Sequence, residues 1–67
     1  MLFKFSDSLI AFNNVAEITP NFEVNQQLPY SIYVETFKGH LYKESFKTAQ
    51  DRDFRMQHLF TILGATA

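Results

Sequence analysis

The chain has no cysteine and no tryptophan, and only two glycines and two prolines among its 67 residues. Without cysteine, neither a disulfide nor a thiolate metal site can staple the fold. The same absence removes the thiol as a nucleophile. Two isolated glycines, Gly39 and Gly64, do not make a phosphate-cradling loop. No apolar run approaches the roughly 18–20 residues that span a bilayer. The opening Met-Leu-Phe-Lys-Phe lacks the apolar region and cleavage site of a signal peptide. A cytoplasmic chain without membrane contact is the resulting expectation, and the initial Met reads as the start of a complete small gene product. Excess charge is missing too. The formal net charge is −1, so there is no global pull toward nucleic acid or anionic lipid.

What the chain has is aromatic and aliphatic bulk. Apolar residues make up 46% of it, with eight Phe and three Tyr. Each ring can bury roughly 150–250 Å². A domain of this size buries only about 60% of the surface its unfolded chain exposes, so it needs that bulk or a second copy. The charge is uneven. Residues 1–37 hold one lysine against four carboxylates, net −3, and residues 38–67 hold five cations against three carboxylates, net +2.

Apolar alternation and turn residues divide the chain into one domain, 1–67, with strands over 2–5, 9–12, 15–19, 30–36 and 40–46 and a helix over 49–63. Phe3 and Phe5 share a face of the first strand. Ser6-Asp7-Ser8 is turn chemistry, and Asn13-Asn14 suits a tight two-residue hairpin. That hairpin would put Leu9 and Ala11 on one face with Ala16 and Ile18. Pro20 argues against a central strand there. Phe22 and Val24 suit a brief edge strand, and residues 25–29 read as a loop.

The hairpin at 30–46 is the best-specified β element. A three-residue loop, Phe37-Lys38-Gly39, with glycine in its last, left-handed position pairs Thr36 with His40. It then pairs Val34 with Tyr42, Ile32 with Glu44, and Tyr30 with Phe46. Tyr30, Ile32, Val34, Tyr42 and Phe46 fall on the inner face, where Glu44 is the one poor fit. Ser31, Tyr33, Glu35, Leu41, Lys43 and Ser45 fall outside. A slip of one residue would mix the two sets.

Thr48 with Asp51 three residues on matches a capping box, and Gly64 suits a left-handed helix stop. Residues 65–67 are expected to fray. The helix between carries two apolar stripes. The broad one, Ala49, Met56, Leu59, Phe60 and Leu63, is the expected core face. The narrow one, Phe54, His58 and Ile62, is left over, although a surface helix needs only one. Strands followed by a helix give an α+β fold, a small antiparallel meander of four to five strands with one C-terminal helix packed on it.

Chemistry is sparse. His40 and His58 are the only histidines, without further ligands at metal spacing, so no metal or other cofactor is expected. No nucleophile elbow is present, and Asp51 and Asp53 do not face each other on a helix. These features point to a non-enzymatic protein–protein interaction module, homodimeric or binding another protein, of the kind a phage or mobile element uses to regulate or inhibit a host protein. Its expected surface is Phe54, His58 and Ile62 with the outward hairpin residues Tyr33, Phe37 and Leu41. The alternative is a single-stranded nucleic-acid binder using Tyr33, Phe37, Lys38, Lys43 and Lys47, stacking aromatics interleaved with cations.

Overall fold

A computed structural model describes residues 2–64. Strands β1 (Leu2–Phe5) and β2 (Ser8–Ala11) pair antiparallel as a two-stranded sheet. Strands β3 (Val15–Phe22), β4 (Tyr30–Thr36) and β5 (Leu41–Phe46) form a second antiparallel sheet in the order β3–β4–β5. Helix α1 (Ala49–Gly64) follows and packs on that sheet. The expected α+β class holds, with its strands divided between two sheets. The expected fraying of residues 65–67 lies outside the described residues.

The β4–β5 hairpin has the expected register, from Val34 opposite Tyr42 to Tyr30 opposite Phe46. Its loop closes as alternation and glycine dictate. Thr36 N–H donates to the His40 carbonyl at 2.9 Å, and Gly39 N–H donates to the Thr36 carbonyl at 3.0 Å. His40 N–H adds a bond to Thr36 Oγ1 at 3.1 Å. Gly39 has φ +86°, and an added Cβ would meet nothing within 4 Å. Glycine is therefore wanted there for its backbone freedom alone.

Between β2 and β3 the expected tight hairpin at Asn13-Asn14 does not form. Residues Phe12–Asn14 make a short 3₁₀ turn, and β3 pairs with β4 instead. A primed two-residue turn needs positive φ at both central residues. Ser6 (φ 52°) and Asp7 (φ 62°) supply it, so the tight hairpin is β1–β2. The 12–14 turn is held from elsewhere. The Phe12 ring stacks on Phe3 at 5.3 Å, and the Asn14 carbonyl accepts the Phe37 N–H at 2.9 Å. Leu9, expected to share a face with Ala11, Ala16 and Ile18, is exposed, while Ile10 is buried opposite Phe3.

Strand β3 runs through Pro20 to Phe22, three residues beyond the expected end. Proline is tolerated because β3 is an edge strand, where a missing N–H costs no ladder bond on the open side. A register shift between Val15 and Glu17 further roughens that edge. Phe22 ends β3 rather than starting a separate strand, and Val24 lies in a turn beside Asn25, whose φ is 63°. The Glu23 N–H donates to the Pro29 carbonyl at 2.8 Å and closes the connection to β4.

The core lies between the inner face of β3–β5 and a cover made of α1 and the β1–β2 hairpin. Phe3, Phe5, Ile10, Ile32, Val34 and Leu59 form its centre. Met56, Ile62 and Leu63 of the helix pack against it. The helix starts as its capping residue dictates, with Asp51 N–H donating to Thr48 Oγ1 at 3.1 Å. It ends without the expected left-handed glycine. Gly64 is the last helical residue, and its φ is not positive.

The helix is also rolled relative to the two-stripe reading. Ile62, assigned to the spare stripe, packs on the core, while Phe60, assigned to the core stripe, is 56% exposed. At about 100° per residue, this is a roll of roughly half a step. Two arginines share the inner side of the helix with these apolar residues. The Arg52 guanidinium lies 5.3 Å from the Tyr30 ring centre, and that of Arg55 lies 5.6 Å from the Phe5 ring centre. Arginine covers apolar surface with its stem and plane while its charge finds a partner, so it can occupy a core margin.

Candidate interaction surface

Glu44, the one poor fit on the inner face, meets Arg55. Arg55 Nε donates to Glu44 Oε1 at 2.9 Å, and Nη2 reaches Oε2 at 3.2 Å. The same Nη2 donates to the Lys4 carbonyl at 2.7 Å. The Ser6 N–H donates to Glu44 Oε2 at 2.9 Å. Lys4 sits at a non-hydrogen-bonded position of the β1–β2 ladder, so its carbonyl points away from β2. The ion pair thus satisfies backbone groups of β1 and its turn that no strand reaches. It joins the β1–β2 hairpin, β5 and α1 at one junction.

Arg55 also reaches outward. Its Nη1 lies 2.9 Å from His58 Nδ1. His58 is thereby oriented at the boundary of two surface hollows. One, of about 580 Å³, opens toward β1 and β5 between Lys4, Asp7, Lys43 and Arg55. The other, of about 380 Å³, lies on the helix's outer side and is walled by Phe54, Gln57, His58 and Thr61. Phe54 is 75% exposed, the highest value among the large apolar side chains described. Among the described residues no charged side chain lines this second hollow.

The structure separates the six expected interface residues. Phe54 and His58 share the outer helix hollow, and Ile62 sits lower, packed on the core and reaching the first hollow. Tyr33 and Leu41 lie on the outer face of the β3–β5 sheet, because α1 covers the opposite face through Ile32 and Val34. Phe37 stands exposed at the hairpin loop. The sheet therefore stands between the helix set and Tyr33 with Leu41, which do not form one patch with it.

The alternative nucleic-acid set is divided as well. Lys43 Nζ stands 5.6 Å from the Tyr33 ring centre, but both groups are engaged by Glu23. Tyr33 Oη donates to Glu23 Oε1 at 3.1 Å, and Lys43 Nζ donates to the same oxygen at 3.3 Å. The hydrogen bond from Lys43, and then that from Tyr33, lowers the Glu23 carboxyl below its ordinary 4.5. Lys43 is raised above 10.5, chiefly by its bond to Glu23. Phe37 and Lys38 lie at one end of β5 and Lys47 beyond the other. Glu17 and Glu35 occupy adjacent positions on β3 and β4. A phosphate backbone would meet carboxylates across this face.

Arg55, Gln57 and Thr61 were not among the expected site residues. A signal for each was present. The misfit of Glu44 called for a cation, and Phe54, Gln57, His58 and Thr61 stand at i, i+3, i+4 and i+7, the spacing of one helix face. Among the described residues no group of three His, Asp or Glu side chains is placed to hold a metal ion, and no helix is long and apolar enough to cross a membrane. No family model, curated protein or solved structure matches the chain.

Proposed function

We propose that this protein is a small non-enzymatic interaction module whose working surface is the outer face of α1. It acts by occupying a surface, on a second copy of itself or on another protein. That mode suits a regulator or inhibitor of a host protein encoded by a phage or mobile element. The observation that carries the reading is Phe54, three-quarters exposed at the wall of an uncharged hollow with Gln57, His58 and Thr61. A large ring held in water by a well-anchored helix gains free energy only when something covers it. The helix itself is anchored through Leu59 and the Arg55–Glu44 junction, so Phe54 is not required for folding.

The test is Phe54→Asp. The variant is expected to keep the wild-type circular dichroism spectrum and melting temperature while losing assembly and capture of a partner from host extract. A variant that assembles and captures as wild type does would refute the reading.

A further inference from the structure

We propose that the open edge of β5 is a docking site for an extended acidic peptide of another protein, which joins the sheet as a further strand antiparallel to β5. This surface is separate from the outer face of α1.

The hairpin fixes which backbone groups are free. The bond from Thr36 N–H to the His40 carbonyl makes Thr36–His40 a hydrogen-bonded pair of the ladder. Such pairs alternate in an antiparallel ladder, so Val34–Tyr42, Ile32–Glu44 and Tyr30–Phe46 are hydrogen-bonded pairs too. Tyr42, Glu44 and Phe46 thus direct their main-chain groups to β4. Leu41, Lys43 and Ser45 direct theirs to the other side, where among the described residues no strand pairs. The hollow of about 580 Å³ lies along that side. It is lined by Lys43 and Ser45 from the outer face and by Glu44 from the inner face, and only the edge of a strand reaches both.

The two edges of the sheet differ. On β3, Pro20 pairs with Ile32, whose main-chain groups go to β5, so Pro20 stands at an outward position and offers no N–H there. The ladder is also shifted between Val15 and Glu17. Both features deter strand addition. β5 has three outward positions in an unbroken register and no proline. An edge lysine can deter pairing as well. Lys43, however, leans back over Tyr33 to reach Glu23 and leaves the edge uncovered.

Charge selects the occupant. Lys4, Lys43 and Arg55 line the hollow against Asp7 and Glu44, an excess of one cation in a chain whose net charge is −1. A second copy of β5 fits badly. Symmetric pairing through all three outward positions centres on Lys43 and sets it opposite itself, and like charges directly opposed are destabilising. A carboxylate opposite Lys43 makes an opposite-charge pair instead. Lys4 adds a further cation to the hollow, with its side chain 72% exposed and its Nζ 4.0 Å from Asp7.

The probe is an acetylated, amidated peptide of alternating valine and glutamate with valine at both ends, added to the isotope-labelled full chain at pH 7 and low salt. At saturation the Leu41, Lys43 and Ser45 amides are expected to exchange with solvent about tenfold more slowly, while the outward Ile18 and Phe22 amides do not change. The same peptide with lysine for glutamate is expected to bind about tenfold more weakly. A glutamate opposite Lys43 shares its hydrogen-bonded pair, so methylating the glutamate nitrogens is expected to abolish binding. The valine nitrogens face away from β5, and methylating them should leave binding largely intact. Ser45→Pro removes one outward N–H without touching the ladder to β4, so it is expected to keep the fold and lose the peptide. Phe54→Asp is expected to bind the peptide as wild type does, which keeps this test independent of the outer helix face. No binding at about 5 mM peptide, equal binding of the glutamate and lysine peptides, or equal binding of the two methylated peptides overturns the proposal. Slowed exchange on β3 in place of β5 overturns it too.

Discussion

The two faces of α1 are built on opposite rules. The inner face is a continuous set of contacts in which even the cations are matched. Leu59 is fully buried, Arg52 lies over Tyr30, and Arg55 is shared among Glu44, the Lys4 carbonyl and the Phe5 ring. The outer face carries a seam of neutral side chains whose largest member, Phe54, packs against almost nothing. The difference teaches that the helix is held by its inner face alone. The outer face is then free to be shaped by what it meets rather than by what folds it.

Changes to the inner face should be the costliest. Leu59→Ala removes a fully buried side chain at the contact of α1 with Ile32 and Val34. It is expected to cost about 3 kcal/mol, read from the shift in denaturation midpoint. Leu59→Met, which nearly conserves volume, should cost less than about 1.5 kcal/mol. Equal costs would mean that the helix is not seated on this residue. Next comes the polar half of the same face. Arg55→Ala leaves the Glu44 carboxylate short of its fork and the Lys4 carbonyl without its donor. A loss of about 2 kcal/mol is expected. Arg55→Lys should recover little of it, because an ammonium cannot span both acceptors with a planar fork. If lysine restores full stability, charge alone holds the junction and the forked geometry is incidental. On the outer face Phe54→Asp should change stability by no more than about 0.5 kcal/mol while removing association. That contrast breaks if the variant unfolds.

How far these two faces were legible in the sequence follows from how each residue spends its polarity. The β4–β5 hairpin was legible to the residue pair, because strict alternation and one glycine admit a single register. The helix start was legible through Thr48. The roll of the helix was not. Periodicity counts arginine as polar, and Arg52 and Arg55 sit at the core margin with their side chains only about one-fifth exposed. Phe60 and Ile62 changed sides. The placement of the tight turn was missed for a related reason. Asn13-Asn14 tolerates positive φ better than Ser6-Asp7, but the turn goes where strand pairing demands it, and the Phe3–Phe12 stack and the Asn14–Phe37 bond draw residues 12–14 elsewhere. Of the candidate surface, Phe54 and His58 were legible as residues without a core partner. Their separation from Tyr33 and Leu41 depended on which face of the sheet the helix covers.

Strand β5 carries the comparison into electrostatics, because its neighbouring residues Glu44 and Lys43 point to opposite faces and each forms an ion pair. Glu44 is held at a three-way junction, with its side chain 22% exposed. Lys43 meets Glu23 at 3.3 Å in the open, with side chains 40% and 38% exposed. Open pairs contribute little, so the expected signature of Lys43–Glu23 is a small dependence on pH. The Glu23 carboxyl is lowered from 4.5, so its contribution is present above that value and is lost as pH falls through the folded pKa. The Lys43 ammonium is raised from 10.5, so its contribution is present below that value and is lost as pH rises through the folded pKa. The melting-temperature gap between wild type and Lys43→Gln should therefore be constant from about pH 5 to 10 and close at both ends. Other groups titrate in both proteins and cancel in the gap. It should also shrink in 1 M salt, where the screening length is about 3 Å. A gap that persists unchanged at pH 3 would show that Lys43 acts through its stem over the Tyr33 ring, as Arg55 does over Phe5, and not through its charge.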